Sequence, residues 1–290
     1  MAKREADAAS TSGNKKRRYV GGPAAARHDL QPGLRGVLLT CDVHAERDAI
    51  REAFRLFESL LDDNADATSG SEPIGDGAAK ATAADALEAE LAMLQQQGGS
   101  TSAASDQGKT DRPAAPFSIA QTGCNGNVFI RFSNAVPVDP VTLVDRAMAK
   151  AKVGGPGSRA PHIVRMVPIQ KTISARTPAD IGEGAEPLVA SAMKPSYAGS
   201  YAVAWRRRCN NDIDKMKCID AIAAVVKKGA PQATVDLDNA ECGVVAEVIK
   251  TTCCLAVLPR WREFFGYNFR TVSGIEAPEK EKGALDKKKS

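Results

Sequence analysis

Three consecutive arginines, Arg206, Arg207 and Arg208, followed by Cys209, Asn210 and Asn211 and then by Lys215 and Lys217, form the densest group of chemically able side chains in this 290-residue sequence. The chemistry they offer is recognition of a polyanion. Guanidinium and ammonium groups set over phosphate release condensed counterions, which drives binding. The amides of Asn210 and Asn211 can donate to and accept from sugar or base edges. Successive strand residues face opposite sides, so at most two of the three arginines can share one face. A second, sparser group is Arg165, Lys171 and Arg176, around the end of an apolar run at Pro168. Either group also fits a solvated edge whose charges only keep it in water.

Catalytic readings find less support. The sequence holds no phosphate loop of the G-x-x-x-x-G-K-[ST] type and no G-x-G-x-x-G, H-E-x-x-H or G-x-S-x-G motif. Its histidines are His28, His44 and His162. Seven cysteines are scattered, with no C-x-x-C pair near partner histidines, so reduced thiols and no metal are expected. Vicinal Cys253 and Cys254 stand in an apolar run and read as packing residues. An unfamiliar enzyme with a nucleophilic cysteine such as Cys124 or Cys209 stays open as a rival, and Cys209 beside Arg208 is the one thiol with the cationic company a nucleophile needs. Trp205 could stack on an unpaired base, or fill a core with Tyr201 and Val203 on its strand face. Trp261, Phe264, Phe265, Tyr267 and Phe269 crowd into one short segment that either closes a core or docks a partner.

These residues need elements to hold them. The chain is long enough for two domains, with 43% hydrophobic residues to supply their cores. Its net charge of +4 hides unlike regions, since residues 62–116 hold ten Asp or Glu against Lys80, Lys109 and Arg112, leaving +11 on the rest. That surplus favours an anionic partner. No apolar run nears the roughly 20 residues that cross a bilayer, and the first ten residues are polar, so the chain is expected inside the cell and off the membrane.

Residues 1–33 read as a disordered basic tail, with the run Lys15 to Arg18 suited to phosphate or to a nuclear address. RGVLLTC (Arg35 to Cys41) reads as a strand, and His44 to Leu61 as an amphipathic helix. Residues 62–116 read as a mobile acidic insertion, with a transient helix over Ala81 to Gln97. Then come FSIAQ, a turn through Gly123, Asn125 and Gly126, and NVFIRFS; a helix from Val141 after Asp139 and Pro140; and the strand His162 to Gln170. That order fits a split βαβ, ferredoxin-like sheet. Beyond it, Thr177 to Met193 reads as a loose-ended helix, Ser200 to Arg208 as a strand, Asp212 to Lys228 as a helix, and Val235 to Leu258 as strands.

Val235 to Leu258, VDLDNAECGVVAEVIKTTCCLAVL, resembles the C-terminal signature of THUMP domains, and Tyr201 to Val226 resembles the strand, basic turn and helix before it. Arg35 to Phe54 with Asn127 to Phe132 narrows the resemblance to eukaryotic THUMP proteins that act as adaptors for tRNA cytidine N4-acetylation. The likeness covers residues 34–269 outside the insertion. Ala240 departs from the usual Pro, with Asn239 expected to cap the turn locally, and Cys242 and Gly243 are expected to loosen the strand start.

The resemblance implies an α+β protein: an N-terminal ferredoxin-like domain over 34–158, a THUMP RNA-binding domain over 159–269, and a disordered charged tail over 270–290. It further implies tRNA as ligand, serine and leucine tRNAs as the modified species, and a separate ATP-dependent RNA cytidine acetyltransferase as the partner that performs the chemistry. No cofactor, no DNA and no membrane are expected, and the expected place is the nucleus or nucleolus, with cytoplasm also open. Enzymes with a THUMP domain attach a catalytic domain, and with about twenty residues after Phe269 none is expected here. A general RNA-binding factor of ribosome assembly stays the alternative binding reading.

Overall fold

The computed structural model describes residues 29–68, 115–134, 136–155 and 157–275. The basic run Lys15 to Arg18, the helix expected over Ala81 to Gln97 and Lys287 to Lys289 lie outside the described residues.

The first unit alternates strands with helices: β1 (Gly36–Cys41), α1 (Glu46–Thr68), β2 (Phe117–Ala120), β3 (Asn127–Phe132), α2 (Pro140–Val153) and β4 (Ile163–Ile169). Its four strands lie in the order β2-β3-β1-β4, every neighbour antiparallel. The apolar stripe of α1, with Ala49, Ala53, Leu56, Phe57 and Leu60, is buried against this sheet. Asp139 caps α2 as its position before Pro140 suggested, with its Oδ2 accepting from the Val141 amide at 2.9 Å.

The second unit contains β5 (Lys171–Ser174), α3 (Pro178–Ala192), β6 (Ser200–Arg208), α4 (Lys215–Gly229), β7 (Thr234–Val235), β8 (Cys242–Ile249) and β9 (Thr252–Leu258). The strand order is β5-β9-β8-β6-β7, with β6 parallel to β8 and β7. Every residue of β8 and β9 is buried. Val244, Ala246 and Val248 face the α3–α4 side with Cys253, Leu255 and Val257. Val245, Ile249, Cys254, Ala256 and Leu258 instead join the core of the first unit. A strand covered on both faces needs no polar alternation, which is why this stretch reads as a continuous apolar run. Cys253 and Cys254 thus enter different clusters, and burial raises both thiols above their ordinary range.

Several boundaries differ from those the sequence suggested. The strand over Ile163–Ile169, placed in the second domain by a boundary at 159, pairs with β1, Leu38 opposite Val167, and so belongs to the first sheet. An apolar strand carries no mark of which sheet it will join. Helix α1 runs on to Thr68, into the stretch assigned to the insertion from 62. Residues 29–33 are tied down rather than tail: the Leu30 amide donates to the Gln121 carbonyl at 3.0 Å and the Gly33 amide to the Thr172 carbonyl at 2.8 Å.

At the other end, residues 270–275 are not tail either. Helix α5 (Phe269–Ser273) is capped by Asn268, whose Oδ1 accepts from the Thr271 amide at 3.1 Å. In α3 the glycines do not loosen the ends. Thr177 and Asp180 form a reciprocal cap, and a Cβ at Gly184 would lie 2.6 Å from Ile173 Cδ1, so the glycine lets the helix approach the sheet.

Candidate nucleic-acid interface

Strand β6 delivers its arginines to two different faces. Arg206 lies half-exposed on the side of the first unit, its Nε 3.8 Å from Glu247 Oε1. Arg207 donates to the Ile213 carbonyl at 3.2 Å, which fastens the strand end to the turn entering α4. Arg208 is half-buried, with its Nε buried and without a hydrogen-bond partner. Lys215 and Lys217 are exposed in the first turn of α4, where the helix dipole disfavours cations. Their placement there is costly for the helix and useful for an anion. Lys250, at the turn between β8 and β9, joins this surface: its amide donates to the Arg208 carbonyl at 3.0 Å.

The asparagines part company. Asn210 is taken up by its own turn, with Oδ1 accepting from the Asp212 and Ile213 amides at 3.1 and 3.2 Å and Nδ2 donating to the Lys250 carbonyl at 2.8 Å. It shapes the basic turn rather than offering a free amide, a correction to its expected part. Asn211 is exposed.

The second group does not assemble. Arg165, read as a surface cation, is 7% exposed; its Nη1 donates to Glu247 Oε1 and its Nη2 to the Gly266 carbonyl, both at 2.9 Å. That guanidinium joins the two units and is committed to its partners. Burial lowers its pKa from the ordinary value, and Glu247 opposes the shift. Lys171 and Arg176 are exposed on the β5 edge, with β9 and β8 between them and β6, beside Asp180 and Glu183. Strand spacing alone sets β5 and β6 roughly 14 Å apart.

A feature the sequence did not reveal adjoins Arg206. A cleft of about 350 Å³ is lined by Arg206 and Arg262, by the amides of Asn239 and Asn268, by Trp261 and by Phe265, with Asp238 as its acidic member. Phe264, Tyr267 and Phe269 are fully buried in the first core, whereas Phe265 is 63% exposed. The split arises in the backbone. Phe265, Gly266 and Tyr267 take φ of 50°, 67° and 60°, a left-handed run that leaves Phe265 outside while its aromatic neighbours turn inward, and is unfavourable for bulky residues. The Arg165 bond to Gly266 helps to hold it. Trp205, by contrast, packs partly into the helix-side core with Tyr201 and Val203.

The turn before β8 is capped by Asp236, not Asn239. Asp236 Oδ1 accepts from the Asp238 and Asn239 amides at 3.0 and 2.9 Å, leaving the Asn239 side chain on the cleft. Gly243 does not loosen the strand. A Cβ there would lie 2.3 Å from Trp261 Cδ2, so the glycine makes the seat on which the indole lies. Gly243→Ala is expected to cost about 1–3 kcal/mol and to displace the indole. In a Trp205→Phe background the check is a red shift of the remaining tryptophan emission together with a lower Tm; an unmoved spectrum would mean the seat is not needed.

Two sheets sharing a core, with a basic strand end and an aromatic cleft on the second, define an α+β protein. Comparison with known proteins names that second unit. The THUMP domain family model matches residues 175–258, from just before α3 to the end of β9. "THUMP domain-containing protein 1" of Mus musculus is 29% identical over 253 residues, 87% of this chain and 68% of that protein. The Drosophila melanogaster "THUMP domain-containing protein 1 homolog" is 25% identical over 286 residues, covering 95% and 84%. The solution structure of the THUMP domain of THUMP domain-containing protein 1 is 29% identical, covers 28% of this chain and 82% of its own, and superposes with a TM-score of 0.26. Residues 175–258 thus match the THUMP domain model, and the chain is similar to those THUMP domain-containing proteins over most of its length.

Proposed function

We propose that this protein is a non-catalytic tRNA-binding adaptor that presents tRNA, serine and leucine tRNAs above all, to a separate ATP-dependent RNA cytidine acetyltransferase for N4-acetylcytidine formation in the D arm. The observation that carries the RNA part is the coincidence of the THUMP match with the exposed cations of β6 and α4 beside the arginine–aromatic cleft. Arg206, Lys215, Lys217 and Lys250 supply phosphate contacts that steer and hold a folded RNA without reading its sequence. Arg262, Asn239 and Phe265 suit an unpaired nucleotide, with the exposed ring as a stacking platform and the Asn239 amide for its edges or 2′-hydroxyl. Such shape-dependent contacts favour RNA over DNA. Lys171 and Arg176 form a weaker second patch, since Asp180 and Glu183 stand with them.

The adaptor part rests on the resemblance of the sequence to that family. Holding tRNA and enzyme at once turns a bimolecular encounter into a local one, and raises the effective substrate concentration without new chemistry. The working place follows that of the enzyme, nucleus or nucleolus in this reading. The purified chain is expected to bind tRNA with an affinity that falls steeply with salt, to prefer tRNA over ribosomal RNA fragments, and to yield no acetylcytidine from tRNA and acetyl-CoA alone. Acetylation by the pure chain would refute the adaptor, and equal competition by ribosomal fragments would refute the tRNA preference.

A further inference from the structure

Two thiols that are 85 residues apart in sequence meet where the two units touch: Cys124 Sγ lies 2.7 Å from Cys209 Sγ. Neither position is accidental. Cys124 sits in the β2–β3 turn, where its amide donates to Thr122 Oγ1 at 3.2 Å and its carbonyl accepts from the Asn127 amide at 3.2 Å. Gly123 and Gly126, at φ of 66° and 69°, give that turn its shape. Cys209 sits in the turn after Arg208 at φ of 53°, and the bonds from Lys250 to Arg208 and from Asn210 to Lys250 brace the backbone on either side of it. Both sulfurs are therefore presented by hydrogen-bonded turns. Closing to a covalent bond of about 2.05 Å needs only about 0.7 Å of movement.

We propose that Cys124 and Cys209 are a redox modification site, a reversible disulfide that staples the hairpin of the first unit to the basic turn of the second. The other five cysteines, Cys41, Cys218, Cys242, Cys253 and Cys254, are buried, whereas Cys209 is exposed and Cys124 half-exposed. Access selects the pair. Burial and its neighbour Cys209 push the Cys124 thiol up to about 11, while Lys250 and Arg208 pull the other way. Cys209, the more exposed of the two, meets the oxidant first and Cys124 resolves it.

With glutathione disulfide as oxidant, the Cys209 thiolate attacks one sulfur and expels one glutathione thiolate, leaving a mixed disulfide. Cys124, giving up its proton, then attacks Cys209 Sγ and expels the second. Two protein thiols are oxidised, one glutathione disulfide becomes two glutathiones, and the two protons go to the departing thiolates. The staple would fix the turn that carries Arg206 to Arg208 and its register on the first unit. It does not depend on what that turn binds.

The test uses the full-length chain, equilibrated in glutathione buffers of rising oxidised fraction and quenched by alkylation. The expected result is that thiols counted after denaturation fall from seven to five, and that one peptide pair linking Cys124 to Cys209 appears, lighter by two hydrogens and restored by dithiothreitol. Cys124→Ser should fold with the linkage lost and a glutathione adduct standing on Cys209 instead, because the resolving thiol is gone. Seven surviving thiols, a stable adduct on Cys209 of the unaltered chain, or a disulfide between two molecules would each overturn the proposal.

Discussion

Replacing Glu247 by alanine is expected to lower the unfolding free energy by about 3–5 kcal/mol, the cost of leaving a buried charge without its partner. Glu247 is 2% exposed and Arg165 is 7% exposed, so neither can turn to water without moving the elements around it. Removing the carboxylate strands the Arg165 guanidinium between the two sheets, still bonded to the Gly266 carbonyl but with nothing of opposite sign. Arg206, whose Nε is 3.8 Å from the same carboxylate oxygen, would then add repulsion from nearby. Replacing both ends by apolar residues of similar size, Arg165→Met with Glu247→Leu, should recover most of the loss, because desolvation is then no longer required of either charge. Urea titrations followed by circular dichroism give both numbers. A Glu247→Ala variant within about 0.5 kcal/mol of the unaltered protein would show that the pair does not hold the units together.

The second large effect concerns binding. Changing Arg206, Lys215, Lys217 and Lys250 together to glutamine is expected to weaken tRNA binding by about 10²–10³-fold near 0.1 M salt and to reduce the slope of log K against log salt by about 3–4. Each phosphate contact contributes roughly 0.7–0.9 to that slope, so four lost contacts set its size. None of the four is buried, and the change should leave Tm nearly unmoved. Lys171→Gln with Arg176→Gln serves as the comparison, with a slope change below about 1 expected because Asp180 and Glu183 already offset those cations. An unchanged slope in the fourfold variant would remove the proposed interface.

The order of elements along the chain was legible because it is written locally. The 3.6-residue spacing of Ala49, Ala53, Phe57 and Leu60 marks α1, Asp139 with Pro140 marks the start of α2, and Thr177 before Pro178 marks α3. The basic surface was legible in the same way, since Arg206, Lys215 and Lys217 are close in sequence and charged residues resist burial.

What sequence could not fix was the identity of each segment's neighbour. Arg165 and Arg206 are the same residue type and both reach the cleft, yet one is buried and bonded to Glu247 and Gly266 while the other is half-exposed. Phe264 and Phe265 are adjacent and chemically identical, and only three left-handed residues decide that the first is core and the second is surface. Local periodicity sets which side of an element is apolar. Which sheet that side meets, and so whether Cys124 lies beside Cys209 or Arg165 beside Glu247, is decided by contacts across 80 or more residues that become favourable only when both units have folded.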